Sequence, residues 1–293
     1  MDHVVIGLVR GGRIRVYAVN SSESAREICK LHNTSPVVSD ALSRTLSVGA
    51  MMGKMLKNGK LTIKITGNGP IKLILVDAAH DGTIRGLVGN NIVDLPLNKH
   101  HKLDVGKAVG DLGVLTVIKN NQLKQNFTGD VILQSGEIGE DFSYYFLKSE
   151  QVPSVVAVGA IIGKDLNVEC AGGLIIQLMP SATDEDFEFV ETLAKRLGPV
   201  TSMINKHQDM NWVLNEIFPD IQILSKETVK FECTCSKDRF IAGIATLDAS
   251  EIKDMILVDK GCEIRCDFCN RYYYLSQDDL LKSIDLKIGK KKS

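Results

Sequence analysis

Two cysteine pairs near the C-terminus, Cys233-Thr-Cys235 and Cys266-Asp-Phe-Cys269, constrain this chain more than any other feature. Four thiols in two sequence-local pairs suit one tetrahedral zinc ion, which favours sulfur ligands, so the fold has to bring the pairs together. The segment between them reads as two helices. The second pair has zinc-knuckle spacing and leads through Asn270 into the aromatic run Tyr272, Tyr273, Tyr274. The first pair is different. With a single residue between them, two thiols lie close on an extended backbone, and loss of a metal would leave them poised to join each other. The pattern is that of a zinc site that can also be a redox site.

The segment 229–293 is small for an independent core, and domains of that size usually need a staple. Binding of structural zinc supplies about 10–16 kcal/mol, as much as the ~5–15 kcal/mol net stability of an ordinary domain. Removing the metal is therefore expected to unfold it. Within it, Val229 to Cys233 reads as a strand, Lys237 to Leu247 and Ser250 to Val258 as helices, and Cys262 to Cys266 with Arg271 to Leu275 as a hairpin carrying the knuckle at its turn. Ser276 with Asp279 caps a final helix.

The remaining cysteines are Cys29, Cys170 and Cys262. A cluster of this kind in a reducing compartment reads as metal-binding or catalytic, not as a disulfide framework. Cys29 falls in a helix and Cys170 in a buried strand, so both read as core thiols. Cys262 is either a competing fifth thiol or a strand residue near the site, and the second reading is preferred because Cys266 and Cys269 already supply the knuckle.

Length and charge narrow the function. With 293 residues the chain suggests about two domains. A formal net charge of −1 leaves no electrostatic footprint for nucleic acid, and Lys290, Lys291 and Lys292 read as a solvated tail. The N-terminus lacks the basic and apolar blocks of a signal peptide. The longest apolar candidate, Val155 to Ile162, is far short of the ~18 residues of a membrane span. A cytoplasmic protein without membrane contact is expected.

The first 180 residues read as an α+β domain. Val4 to Arg10 and Arg13 to Val19 alternate around Gly11-Gly12 as a hairpin. A helix follows, with Ser24 and Glu27 as capping box and Ala25, Ile28 and Leu31 on one face. A second helix runs from Pro36 to about Leu56, where Ala41, Thr45, Gly49 and Gly53 draw a line of small side chains that lets another backbone approach. It is the expected central buried helix. Strands are then expected at Leu61 to Thr66, Ile71 to Ala78, Ile84 to Val88, Gly113 to Lys119, Gly129 to Gln134, Phe142 to Ser149, Val155 to Ile162 and Glu169 to Leu178. Strands in runs argue for antiparallel sheets.

Other candidate sites are weak. Gly67-Asn68-Gly69-Pro70 joins strand to strand and lacks the Lys-Ser/Thr of a nucleotide loop. His100 and His101 are adjacent in a polar loop, point different ways and have no partner cluster. No nucleophile elbow or Ser-x-x-Lys element stands in a convincing setting, and no enzymatic activity is expected.

From Met179-Pro180-Ser181 the texture turns helical. Thr183 to Leu197, Thr201 to Lys206 and Met210 to Phe218 read as amphipathic helices, and 181–228 as a helical linker without a core of its own.

Several stretches are distinctive: Ala41-Leu42-Ser43-Arg44-Thr45, Gly67-Asn68-Gly69-Pro70-Ile71 and Ser135-Gly136-Glu137 through Tyr144-Tyr145. To these add Ser149-Glu150-Gln151-Val152-Pro153-Ser154, Ala171-Gly172-Gly173 through Gln177-Leu178-Met179-Pro180, and the Cys233/Cys235 with Cys266/Cys269 signature. On these the chain resembles, over nearly its whole length, the redox-regulated thirty-three-kilodalton heat-shock chaperones of bacteria. Ser43 stands where the family usually has glycine, and Cys262 is a thiol the family pattern does not require. The resemblance implies an ATP-independent holdase, nearly inactive while reduced and bound to one Zn2+ per chain. Oxidation then forms disulfides between near neighbours, Cys233–Cys235 and Cys266–Cys269. Zinc leaves, the C-terminal domain and linker lose structure, unfolded client proteins are captured, and a homodimer forms.

Three regions follow from the combined reading: a chaperone core over 1–180 of antiparallel sheets with a central buried helix, a helical linker over 181–228, and a zinc-binding redox-switch domain over 229–293. Amphipathic spacing marks Phe187, Leu193, Trp212 and Phe218 as candidates for client contact. The competing expectation is a zinc-ribbon nucleic-acid-binding or scaffold protein with a purely structural metal. A thiol oxidoreductase using Cys266 and Cys269 is disfavoured because that pair lies outside a thioredoxin-like βαβ pattern.

Overall fold

The alternation at the N-terminus does build a hairpin, β1 (His3–Val9) and β2 (Ile14–Asn20), turned through Arg10, Gly11 and Gly12, all at positive φ. In the computed structural model the described residues are 1–120 and 126–290, with 285–290 as backbone only. Of the expected lysine tail, the Lys290 side chain, Lys291 and Lys292 lie outside the described residues. The chain divides into two units, Met1–Glu232 and Cys233–Ser293.

In the first unit α1 (Ser22–His32) and α2 (Pro36–Met55) follow the hairpin. Next come β3 (Lys60–Gly67), β4 (Leu73–Ala79), β5 (Thr83–Val88), the short α3 (Val105–Val109), β6 (Gly113–Asn120) and β7 (Phe127–Ile132). The helix α4 (Gly139–Tyr145), β8 (Ser154–Ile162) and β9 (Val168–Leu178) come next. Then come α5 (Asp184–Arg196), α6 (Val200–His207), α7 (Met210–Ile217), β10 (Gln222–Thr228) and β11 (Lys230–Phe231). One sheet has the order β10-β1-β2-β9-β8, and the other β11-β5-β4-β3-β6-β7. All pairings are antiparallel except β11 with β5.

Helix α2 lies between these sheets, against β2, β8 and β9 of the first and β3, β4 and β5 of the second. Burial on every side explains its mixture of apolar and small polar residues, because each buried hydroxyl needs a partner. Thr45 Oγ1 donates to the Ala41 carbonyl at 2.9 Å and Ser47 Oγ to the Ser43 carbonyl at 2.8 Å. Asp40 is paired with Arg44 through 2.8 and 2.9 Å bonds, and Arg44 reaches Glu137 at 2.7 Å. The small-residue line marks a close approach: a Cβ on Gly49 would come within 2.9 Å of Val76, and one on Gly53 within 2.8 Å of the Ala79 carbonyl.

Three local expectations give way to tertiary structure. Phe142 to Ser149 is helical, as α4 followed by a π turn over Phe146–Glu150, not a strand. The Asp141 carboxylate accepts the backbone N–H groups of Gln134, Ser135, Gly136 and Ile138, which fixes the helix start, and Phe142, Tyr145 and Phe146 then share its buried side. Helix α1 begins at Ser22, and the Asp2 carboxylate, at 2.9 and 2.7 Å from the Glu23 and Ser24 N–H groups, replaces the expected capping box. The segment expected to be a coreless linker belongs to the first unit. Its helices cover the first sheet around Val5, Val16, Leu174 and Ile176, and its last residues form strand β10 on the edge of β1.

The second unit contains α8 (Lys237–Ile244), α9 (Ala249–Leu257), the hairpin β12 (Gly261–Arg265) and β13 (Tyr272–Ser276), and α10 (Gln277–Lys290). The expected cap is present, with Ser276 N–H donating to Asp279 at 3.0 Å and its hydroxyl at 2.8 Å. Among the described residues the unit's hydrophobic cluster gathers Ile241, Ile244, Ile252, Ile256, Leu275 and Leu280. That is a thin core. Among the described residues no helix is long and apolar enough to cross a membrane.

Candidate metal centre

Local hydrogen bonds shape each cysteine pair before the pairs meet. Ser236 caps α8 through the Arg239 N–H at 3.2 Å, and Arg239 reaches back to the Thr234 carbonyl at 2.9 Å. Thr234 separates the first two cysteines, so the helix start holds that loop. The second pair forms the turn between β12 and β13: Cys266 N–H donates to the Arg271 carbonyl at 2.9 Å and Asn270 N–H to the Cys266 carbonyl at 2.8 Å. Asn270 takes φ 54°, a left-handed position that asparagine tolerates better than most residues.

The two elements bring all four sulfurs within 4.8 Å of one another. Cys233 Sγ lies 3.7 Å from Cys266 Sγ, and Cys235 Sγ 3.3 Å from Cys269 Sγ. Zinc–thiolate bonds of ~2.3 Å in a tetrahedron separate sulfurs by about 3.8 Å, so the arrangement fits a metal ion held by four soft donors. Burial pushes the Cys235 thiol up, but the Tyr273 hydroxyl and neighbouring thiols outweigh it and bring the group down to about 7. Burial, with the neighbouring sulfurs, raises Cys269 to about 12.

Cys262 lies in β12 against the apolar core of the unit, and burial raises its pKa. It is outside the four-sulfur group. His100 and His101 are exposed. The cluster of His, Cys, Asp or Glu able to hold a metal among the described residues is the four-cysteine one. Of the residues expected to touch clients, Phe187 is 46% and Trp212 39% exposed, the latter stacked on His207. Leu193 is half-buried, and Phe218 is fully buried beside Phe189.

A family model described as Hsp33 protein matches residues 2–276. The chain belongs to the Hsp33 family. Membership places it among chaperones. It is 43% identical over 282 residues to the 33 kDa chaperonin of Bacillus pumilus, covering 96% of this chain and 97% of that one. It is 41% identical over 282 residues to the 33 kDa chaperonin of Staphylococcus epidermidis, covering 95% and 96%. The crystal structure of the 33 kDa chaperonin of Thermotoga maritima, a heat shock protein 33 homologue, superposes with a TM-score of 0.87 at 31% identity, over 98% of this chain and 99% of that one.

Within this Hsp33 family member, sequence reasoning found the four sulfurs and missed what steadies them. Arg239 gave no signal. Tyr273 gave a faint one, because strand alternation places it on the face opposite Tyr272 and Tyr274. Its hydroxyl lies 3.2 Å from Cys235 Sγ.

Proposed function

We propose that this chain is a redox-regulated, ATP-independent holdase of the cytoplasm, whose four cysteines hold one Zn2+ at rest. Family membership supports the chaperone activity. The observation that carries the regulation is the meeting of Cys233, Cys235, Cys266 and Cys269 within 4.8 Å in a unit whose described residues form only a small apolar cluster. When bound, zinc supplies a cross-link between the pairs and keeps the sulfurs as thiolates.

Contacts across the pairs, Cys233 to Cys266 and Cys235 to Cys269, tie the loop before α8 to the knuckle between β12 and β13. Disulfides Cys233–Cys235 and Cys266–Cys269 close only local rings and tie nothing across. Each forms as two thiols give two electrons and two protons to the oxidant. Oxidation on this reading exchanges one long-range tie for two short loops, and the thin core of the second unit does not survive it.

Unfolding proteins are then captured on exposed apolar surface, with Phe187, Leu193, Trp212 and Phe218 as contact residues once α5–α7 leave the first sheet, and the active form is a homodimer. The role involves no catalysis, nucleic acid or membrane. The test is to treat protein with peroxide at a mildly denaturing temperature, follow zinc release with a chromogenic chelator, and measure aggregation of a heat-unfolded client. Oxidised, zinc-free protein that protects no better than reduced protein would refute the proposal.

A further inference from the structure

We propose that His3 is an acid-sensitive clasp: protonation of its imidazole releases the start of α7 from the first sheet while the cysteines stay reduced. The imidazole is buried at the first position of β1, and both ring nitrogens are engaged. Nδ1 lies 3.0 Å from the Met1 carbonyl oxygen, and the Met210 N–H donates to Nε2 at 3.1 Å. A carbonyl only accepts and a backbone N–H only donates, so the two bonds together fix the neutral ring with its hydrogen on Nδ1. Met210 is the first residue of α7, and its N–H has no acceptor inside the helix. Strand β1 supplies that acceptor from 207 positions earlier in the chain.

Protonation reverses this arrangement. An imidazolium carries hydrogen on both nitrogens and accepts nothing, so Nε2–H would meet the Met210 N–H head-on. The surrounding charges decide whether anything compensates. Asp209 Oδ1 is 3.5 Å from Nε2, but that oxygen already accepts the Asn211 N–H at 3.1 Å and Lys226 Nζ at 3.0 Å. Burial pushes Asp209 up, yet Lys226 and the Asn211 N–H outweigh it and keep the group below the usual carboxylate range. Drawing the ring towards Asp209 takes it off Met210 and disturbs the cap of α7, so the helix start loses a bond either way. Asp2 is engaged by the Glu23 and Ser24 N–H groups, and the Met1 ammonium by Glu23 at 2.8 Å. His207, at the end of α6, borders the same cavity of about 400 Å³. Its ring stacks on Trp212, and its buried Nε2 has no hydrogen-bond partner among the described residues. In acid it adds positive charge beside Lys226 and the Met1 ammonium, which opposes an imidazolium at His3 further.

The turn between α6 and α7 has a second tie that acid does not touch, Asn20 Nδ2 donating to the Gln208 carbonyl at 3.0 Å. Acid should therefore loosen α7 ahead of α6. Histidine side chains ordinarily change charge between about pH 5 and 8, so the clasp is closed in neutral solution and opens under mild acid. What release leads to rests on the functional reading above: Trp212 on α7 becomes available to unfolding proteins without oxidation.

Hydrogen exchange of the reduced full chain in zinc-containing buffer, at about pH 7.5 and about pH 5.5 and corrected for the intrinsic rate, tests the clasp. Protection over Met210–Ile217 should fall by about two- to tenfold in acid, the factor that one hydrogen bond represents, and α2 should not change. His3→Gln places an uncharged amide oxygen where Nε2 accepts and should abolish the difference. His3→Lys, a permanent cation, should leave α7 weakly protected at both pH values. An acid response kept in His3→Gln and lost in His207→Gln would overturn the proposal, as would an α7 that tightens in acid, the sign of a His3–Asp209 ion pair. Any acid-induced loss of zinc is common to wild type and His3→Gln, so it does not produce a difference between them. In parallel, reduced wild type at the lower pH should protect a heat-unfolded client better than His3→Gln does. A clasp that opens in acid, in a protein that protects no client even when oxidised, refutes the functional reading alone.

Discussion

The carboxylate of Asp186, in the first turn of α5, meets Arg13 Nε at 2.7 Å while its other oxygen takes Arg10 Nε. The same carboxylate accepts the Thr183 N–H and hydroxyl, each at 2.9 Å, so one buried group both caps α5 and fastens it to the β1–β2 hairpin. The Arg13 guanidinium, then the Thr183 N–H, hold Asp186 well below the usual carboxylate range. A depressed carboxylate contributes stability that is complete above its unfolded value of about 3.9 and is lost as pH falls towards the folded value. Acid below about pH 4 should therefore loosen α5. Asp186→Asn should lower the melting temperature at pH 7 by a few degrees and flatten this part of its acid dependence. Hydrogen exchange should quicken in α5 and not in α2; uniform exchange changes would count against the anchoring role.

Two glycines in helices should respond to alanine in opposite directions. On Gly53 of α2 a Cβ meets the Ala79 carbonyl at 2.8 Å, a backbone atom with little freedom to move. Overpacking of about 1–3 kcal/mol should exceed the ~1 kcal/mol gain in helix propensity, and Gly53→Ala should destabilise the first unit. A methyl group on Gly243 of α8 would instead project into open space, with no atom of the described residues beyond its own helical turn and chain neighbours within 4 Å. Gly243→Ala should stabilise the second unit by about 0.5–1 kcal/mol. Denaturant titration of each variant reads the sign directly.

Burial separates the client-contact candidates. Phe218 is fully buried with Met210, Val213 and Leu214, so Phe218→Ala should cost about 3–5 kcal/mol. Phe187→Ala should stay within about 0.5 kcal/mol, because the ring is 46% exposed. If the helical segment contacts clients, Phe187→Ala and Trp212→Ala reduce protection by the oxidised protein, and Phe187→Ala does so without altering reduced-state stability. Crosslinks from an unfolded client that fall only on the sheets would exclude this surface.

Cys266 is the most buried of the four sulfur residues. Cys266→Ser should weaken zinc binding by more than the roughly 10–100-fold that accompanies loss of an outer-shell partner. It should also remove the cooperative melting of the second unit while the first unit still melts as before. Zinc stoichiometry and differential scanning calorimetry check both halves, and undiminished affinity would contradict the ligand assignment.

What the sequence carried well were features fixed by short-range pattern. The four cysteines, the β12–β13 hairpin, the Ser276/Asp279 cap and the fully buried α2 were all legible because spacing, caps and small residues encode them locally. Phe142 to Ser149 was misread because aromatic residues favour strands, while the deciding interaction is one Asp141 carboxylate collecting four backbone N–H groups. Strand β10 was missed since Gln222–Thr228 is polar on one side and half-buried on the other, the character of an edge strand whose identity lies in its partner β1. Tyr273 was marked only faintly, by its place opposite Tyr272 and Tyr274, because only the closed fold brings it to Cys235.

The stretch Gln222–Phe231 also has a consequence for the sheets themselves. As β10 it seals the outer edge of β1, and as β11 it pairs with the outer edge of β5, so consecutive strands close one border of each sheet immediately before Cys233. A single peeling event along this stretch would bare two rows of backbone donors and acceptors at once. Such rows accept any extended chain through main-chain hydrogen bonds, with little regard to its side chains. Indifference to sequence is what a partner for many different unfolded proteins requires.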